Sequence, residues 1–404
     1  MDSFVSHLES PVDGTRFDFG RVHGTHQDRP LLVSYDLRRV RKKARREFLA
    51  ERPPDMWRYR ELLPVGDTVV SLGEVMTPTL LCPRIAARLG MKTLYVKDES
   101  RLPTGSFKAR GMAVAITMAV GLGQSKIALA SAGNAGGAAA AYCARAGIQC
   151  FVLMPVDTPE VNVREAALFG ARVSLVDGTI ADCARIVREG VGRMGWYDLS
   201  TMREPYRLEG KKTMGFELAE QFGWRLPDTI FYPTGGGTGL LGMWKAFQEL
   251  AHINWLTDSR APRMVVCQAS GCAPLVKAYE RGESHAIPPE NPRTVAAGLR
   301  VPTALADFLI LESVRASKGF AQHVPDEDIL HWMREASSLE GISLCPEAAA
   351  CFAVLERGLR DGLVNPEERV VIFNTGAAQK YVEALRTGEV PRLAPSNVDW
   401  SAFA

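Results

Sequence analysis

Lys108 stands near the end of KDESRLPTGSFKARG (residues 97–111), after a Pro-Thr-Gly-Ser turn and Phe107 and ahead of an apolar run at 112–120 that reads as helix. Taken alone, a lysine at a loop-to-helix boundary is a solvated side chain. Three further stretches, each following a short apolar run, change its weight: SAGNAGG at 131–137, PTGGGTG at 233–239 and TGAA at 375–378. In PTGGGTG successive glycines let backbone N–H groups converge on an anion. A loop that leaves a strand and opens a helix is where a phosphate binds. Gly237, Gly239 and Gly242 also satisfy G-x-G-x-x-G, but a dinucleotide site needs an acidic residue near the end of the next strand to hold the ribose. The next candidate strand ends in Gln268, Ala269 and Ser270 instead. No G-x-x-x-x-G-K-[ST] occurs, which argues against a nucleotide-triphosphate loop.

Such loops need strands to carry them. The spacing of β-branched and apolar residues predicts strands at 93–96, 126–130, 149–154, 172–176, 229–232, 264–268 and 370–374. Helical segments are expected at 136–146, 161–169, 180–192, 210–222 and 240–250. This alternation predicts an α/β protein with parallel sheets and helices on both faces, whose ligands bind beyond the carboxyl ends of strands. A chain of 404 residues exceeds what one hydrophobic core supports, so two lobes are expected. With 46% hydrophobic and 23% charged residues and a net charge of +2, nothing in the balance asks for nucleic acid. The N-terminal stretch MDSFVSHLESPVDG lacks the basic-then-apolar order of a secretory signal. The small-residue run at 128–146 carries Asn134, Arg145 and glycines, which suits no bilayer span. The basic run at 38–46 reads as a solvated helix face, with a nucleic-acid or membrane arm as the alternative. Eight cysteines without a C-x-x-C argue against a zinc ribbon or redox pair and fit buried thiols in a reducing cytosol.

The ordered combination of PTGSFKARG, SAGNAGG, a later glycine-rich strand–loop–helix and a final Thr-Gly after a strand resembles the tryptophan-synthase-β-like group of pyridoxal-phosphate enzymes (fold type II). Within that group the likeness is to the threonine synthase family. It includes YRLEGKKTMGFELAEQFG (206–223) and QASGCAPL (268–275) and runs from about 57 to 381. The resemblance implies a two-lobed, three-layer fold: a cap at 1–55, a large cofactor domain at 56–114 and 206–390, a small domain at 115–205 and a tail at 391–404. It implies pyridoxal 5′-phosphate held by Lys108 as a Schiff base, with Phe107 on one face of the ring and Asn134 at its hydroxyl. Gly235, Gly236, Gly237, Thr238 and Gly239 would cradle the phosphate, and Thr375 would face the pyridine nitrogen. Lysine is the side chain that condenses with an aldehyde, and its freed amine lies beside Cα as an acid/base. A neutral threonine at the ring nitrogen cannot hold a proton there as a carboxylate would, which favours elimination or replacement. Each residue keeps a plainer alternative: Asn134 as a turn residue, Thr375 and Gly376 as a strand end, and Glu347 as a first-turn helix acid outside the catalytic set.

For the distal anion of a phosphorylated substrate the family's pattern implies Ser131, the position of Thr201, and Arg207. Here the family's threonine after Asn134 is Ala135, its asparagine is Thr201, the N of N-P-x-R is Glu204, and the aspartate after the lysine is Ala109. Losing two donors at about 1.5–3 kcal/mol per charge-assisted hydrogen bond weakens a dianion site. Residues 8–36 resemble the four-cysteine ribbon of some relatives, but Ser10, Asp13, Thr25 and Gln27 stand where cysteines would be, so a metal-free cap is expected.

The expected activity is therefore that of a cytoplasmic, homodimeric lyase converting O-phospho-L-homoserine and water to threonine and phosphate. It would take a small amino-acid substrate, with no nucleic acid, membrane or metal. The rivals are a threonine/serine ammonia-lyase or β-replacement enzyme on an activated serine, and a cofactor-binding protein without turnover.

Overall fold

A strand buried at every position belongs inside a sheet covered on both faces, and Thr229–Pro233 (TIFYP) is buried at all five. The structure, a computed structural model, describes residues 3–258, 260–385, 393, 398 and 400. The tail expected at 391–404 lies largely outside the described residues. Along the chain, β1 (Val5–Glu9), β2 (Arg16–Phe17) and β3 (Leu32–Tyr35) form an antiparallel sheet ordered β2-β1-β3, followed by α1 (Leu37–Lys43). Then come β4 (Thr79–Leu81), α2 (Pro83–Leu89), β5 (Thr93–Asp98) and α3 (Lys108–Gly121). β6 (Lys126–Ala130), α4 (Asn134–Ala146), β7 (Gln149–Pro155), α5 (Glu160–Leu168), β8 (Arg172–Val176), α6 (Ile180–Met194) and β9 (Tyr197–Asp198) make a parallel sheet ordered β8-β7-β6-β9. The chain returns through α7 (Tyr206–Gln221), β10 (Thr229–Pro233), α8 (Thr238–His252), β11 (Arg263–Ala269) and α9 (Pro274–Glu280). It ends with α10 (Asp307–Ala316), β12 (Ala321–Val324), α11 (Asp326–Glu340), α12 (Pro346–Arg360) and β13 (Arg369–Asn374). The large sheet is ordered β12-β11-β10-β13-β5-β4 and is parallel except for the edge strand β4.

Alternating residues of each inner strand feed two separate cores, the period-two geometry of a pleated strand. Ile230, Tyr232, Val371 and Phe373 pack with α7, α8 and α10. Phe231, Val370 and Ile372 pack with α2, α11 and α12. The small sheet has the same three layers: Ile127 and Leu129 face α3 and α4, while Ala128 and Leu153 face α6. Every strand expected from sequence is present, extended by one or two residues where it differs at all. α1 carries its basic residues on an exposed face, with Val40 the buried one. No described helix is long and apolar enough to cross a membrane.

α3 runs unbroken through the 114/115 boundary drawn from sequence, because it packs across α7. The crossing is made at glycines: a Cβ on Gly210 would run into Arg110 O, and one on Gly111 would lie 2.9 Å from Arg207 O. Beneath it a fully buried ion network fixes both helices to β5. Arg110 pairs with Glu99 at 2.6 Å and Glu217 at 2.5 Å, and Lys97 pairs with Glu217 at 2.8 Å. Lys108 and Arg207 thereby start from two helices that cannot slide. The sequence placed the start of the second helix at 210, but it begins at Tyr206. Glu204 supplies the reason: its carboxylate accepts from Tyr206 N–H at 2.7 Å and Arg207 N–H at 3.2 Å, capping the first turn.

Candidate active site

The carboxyl ends of β5, β6, β10 and β13 lead into the loops that carry the sequence-derived residues. The lysine loop is laced to the end of β13. Phe107 N–H donates to Thr375 O at 3.0 Å, Ala377 N–H donates to Gly105 O at 2.9 Å, and Ser106 bridges Gly376. Lys108 is the first residue of α3 and its Nζ lies 4.0 Å from the centroid of the Phe107 ring. Burial, then the nearby Arg207 guanidinium, pull the amine down to about 8, against the opposite pull of Glu347 and Cys345. A helix N-terminus adds to the same disfavouring of positive charge. The lowered value leaves more of the amine neutral near neutral pH than an ordinary lysine has, as a nucleophile or proton acceptor needs.

On the other side of the cleft, Asn134 opens α4 and donates through Nδ2 to the Tyr381 hydroxyl at 2.9 Å. Its amide lies 3.5 Å from where a Cβ on Gly376 would be, which joins the asparagine loop to the Thr375 loop. Thr375 is buried and its Oγ1 contacts Cys345 Sγ at 3.6 Å.

The glycine loop is shaped by exclusion. A Cβ on Gly235 would sit 2.5 Å from Gly298 O, and one on Gly236 would sit 3.1 Å from Thr201 Cγ2. Gly237 has φ +71°, a left-handed conformation. A Cβ on Gly239 would meet the Tyr232 hydroxyl, and one on Gly242 would meet the Lys211 backbone at 2.9 Å, so those two serve helix packing. Leu241 N–H is the first in α8 to bond back, to Gly237 O at 3.0 Å. The N–H groups of Gly237, Thr238, Gly239 and Leu240 are thus left at the open end of the helix. A cradle of bare N–H groups at a helix N-terminus, with an amine of lowered basicity nearby, fits a phosphorylated aldehyde. Among the described residues no group of three or more His, Cys, Asp or Glu could hold a metal ion.

The residues expected at a distal anion are less uniform. Arg207 is buried, donates through Nη1 to Leu199 O at 2.8 Å, and acts electrostatically on Lys108. Ser131 Oγ is engaged within its own loop, accepting from Gly136 N–H at 3.0 Å and Gly133 N–H at 3.3 Å. Thr201 is exposed, with its methyl against the glycine loop. Glu204 is pushed up to about 7 by burial, although Arg207 and two backbone N–H groups pull it down.

Residues 70–376 match the family described as pyridoxal-phosphate dependent enzyme. The chain belongs to that family. Pyridoxal phosphate is accordingly its cofactor, and the glycine cradle and Lys108 are consistent with it. Among curated relatives, the chain is 38% identical over 371 residues to a threonine synthase of Methanosarcina acetivorans, covering 91% of this chain and 90% of that one. It is 35% identical to a threonine synthase of Methanocaldococcus jannaschii, covering 94% of each. Among solved structures, a fungal L-serine ammonia-lyase from Rhizomucor miehei superposes with a TM-score of 0.64 at 20% identity, over 78% of this chain and 99% of that one. At that identity the likeness is one of fold, and the fold is that of the tryptophan-synthase-β-like enzymes.

Lys211 and Tyr381 had no part in the expectations from sequence, and Glu347 entered them only as a first-turn helix acid outside the catalytic set. Lys211 donates to Phe107 O and places its Nζ 4.1 Å from the same aromatic centroid as Lys108. Burial, then Lys108 and Arg207, hold its amine well below the usual range. Glu347 and Tyr381 come from the far end of the chain. Only the acid in the Cys-Pro-Glu opening of an alanine-rich helix gave any signal, and that signal equally described a helix start.

Proposed function

We propose that the chain is a threonine synthase that converts O-phospho-L-homoserine and water to L-threonine and phosphate. The observation that carries the reading is Arg207. It is a buried cation beside Lys108, retained where the threonine synthase pattern has its substrate-phosphate arginine, in a chain 38% identical to one such enzyme across nine-tenths of its length. An arginine fork can hold a phosphate in two hydrogen bonds. In this reading the N–H groups of Gly235, Gly236, Gly237, Thr238 and Gly239 would hold the cofactor phosphate, Phe107 would pack beside the ring, and Asn134 and Thr375 would serve its hydroxyl and nitrogen. When bound, the cofactor supplies an electron sink that makes the substrate's Cα and Cβ protons removable.

Lys108 takes the proton from Cα and then one from Cβ as phosphate leaves Cγ. One proton is returned at Cγ, the hydroxyl of water bonds to Cβ, and Lys108 returns the last proton to Cα. The second hydrogen of the water balances the released phosphate. Thr375, neutral and beside the Cys345 thiol, cannot fix a proton at the ring nitrogen, which keeps the chemistry on elimination and addition. The division into cap 1–55, large domain 56–114 and 206–390, and small domain 115–205 belongs to this reading, supported by three separate sheets. So does a reducing cytosol, for which the eight free, buried cysteines are the support, and a homodimer, which is carried by the family resemblance alone.

One observation favours a second reading. Ser131 spends its hydroxyl within its loop and Ala135 has none, which thins the donors for a second phosphate and suits ammonia release from serine or threonine. Purified enzyme is expected to release phosphate from O-phospho-L-homoserine with equimolar threonine. Ammonia from serine or threonine without phosphate release from the phosphorylated substrate would transfer the assignment to an ammonia-lyase.

A further inference from the structure

Asn134 opens α4, which packs on the small sheet, and Thr375 follows β13 of the large one, so no strand or helix joins them. Two consecutive residues beyond β13 hold one loop opposite the other. Ala377 N–H donates to Gly105 O at 2.9 Å, and the short turn Ala378–Lys380 carries Lys380 over the lysine loop. There a Cβ on Gly105 would lie 3.4 Å from Lys380 Cδ. Lys380 Nζ reaches both carboxylate oxygens of Glu165 on α5, each at 2.6 Å. That carboxylate lies against Gly137 in the first turn of α4, where a Cβ would run into it. The next residue, Tyr381, receives the Asn134 amide at 2.9 Å. The contacts close a circuit from the Thr375 loop through Lys380, Glu165 and Gly137 to Asn134, and back through Tyr381. Two motif glycines with no part in the phosphate cradle, Gly105 and Gly137, thus make room for one ion pair.

The side chains of Lys380 and Glu165 are 10% and 17% exposed. A pair on open surface would hold little, but one so shielded is screened weakly by salt. Removing either partner leaves the other's charge half-dry and unpaired.

We propose that Lys380 and Glu165 are positioning residues that clamp the asparagine loop against the Thr375 loop and so set the slot for the cofactor ring. This rests on the reading of Asn134 and Thr375 as the residues at the ring's hydroxyl and nitrogen. Polar groups that serve a ring must be held to within about 0.5 Å, and these two come from different sheets. With the clamp broken the slot loosens, the ring is held less firmly, and solvent reaches the bond between Lys108 and the cofactor.

The test uses the full-length holoenzyme without substrate. Hydroxylamine bleaches the visible band at a rate set by its access to that bond, and the circular dichroism of the band reports how firmly the ring is held. Glu165→Gln and Lys380→Met should each speed bleaching about tenfold, an effect between those of exposed and fully buried pairs, and weaken the dichroic band. The double variant should bleach no faster than the faster single one, because one ion pair can be broken only once. Single variants that bleach at the wild-type rate overturn the proposal, as does a double variant whose acceleration is the product of the two. A lowered Tm with unaltered bleaching and dichroism would make the pair a support of the fold alone, and also overturns it. If these variants do not fold, Glu165→Asp decides: its carboxylate is set back by one methylene, so faster bleaching supports the clamp and an unmoved rate overturns it. Failure of the cofactor-site reading shows separately, as a borohydride label away from Lys108 in the wild type, and turnover of phosphohomoserine does not enter the measurement.

Discussion

Lys108 and Lys97 show how differently one side chain can be used. Lys97 is fully buried, donating to Glu217, Thr77 O and Gln221 at 2.7–2.9 Å, so its amine is committed to the fold. Lys126 is exposed and donates to Met194 O. Burial lowers the Lys97 amine as well, but that amine is tied into the ion network, whereas Lys108 opens α3 in the loop laced to Thr375 and Gly376. Borohydride reduction of the yellow holoenzyme followed by peptide mapping should therefore label Lys108, and a label on Lys97 or Lys126 would refute the site. Arg207 carries a second expectation. Arg207→Ala should leave the cofactor spectrum unchanged, because in the proposed reading the cofactor phosphate would be held by backbone groups of the glycine loop and not by Arg207. It should lower kcat/KM on an anionic substrate about ten- to a hundredfold, the scale of ~1.5–3 kcal/mol for a charged hydrogen bond. An unaltered kcat/KM would make Arg207 a structural residue, held only to Leu199 O. Motif residues were legible in sequence because glycine, asparagine and lysine at those spacings have few other uses. Glu347, Tyr381 and Lys211 were not, since their role comes from distances across unrelated segments.

Strand ends and helix caps decide where those side chains go. The parallel strands were legible because β-branched and aromatic runs buried on both faces leave little choice. The start of α7 was not, because Glu204 caps it from a segment that reads as loop. This cap has a pH signature. Its carboxyl sits at about 7 in the folded chain against the ordinary 4.5, so the folded state holds a proton that the unfolded chain has released. Stability from this group is present below about pH 4.5 and is lost as pH rises toward 7. Glu204→Gln should flatten the fall in Tm across that window; an unaltered pH dependence would show that Glu204 does not titrate there. In the N-terminal sheet, Asp13 accepts from Thr15 N–H at 3.1 Å and meets His26 Nε2 at 3.0 Å and Gln27 Nε2 at 3.3 Å. The Thr15 N–H, with Ser10 and His26, holds the Asp13 carboxyl well below its usual range. A hydrogen-bonded corner thus ties the two turns that a metal would otherwise join. Chelating agents should leave Tm and activity unchanged, and stoichiometric zinc in purified protein would contradict that account.

At the scale of the molecule, two parallel sheets bring their carboxyl ends to one cleft, and ion pairs cross it. Lys380 holds Glu165 of α5 at 2.6 Å, Arg300 holds Asp157 at 2.9 Å, and Asn134 meets Tyr381. Two lobes were legible from length and alternation. Their mutual placement was not, because Lys380 and Glu165 are 215 residues apart and read separately as surface charges. The central claim is that carbon–oxygen cleavage at Cγ is followed by addition of water at Cβ, and water enriched in oxygen-18 tests it most directly. With O-phospho-L-homoserine in that solvent, the account predicts threonine carrying one labelled oxygen in its hydroxyl and phosphate carrying none. Labelled phosphate with unlabelled homoserine would mean simple ester hydrolysis and would contradict it.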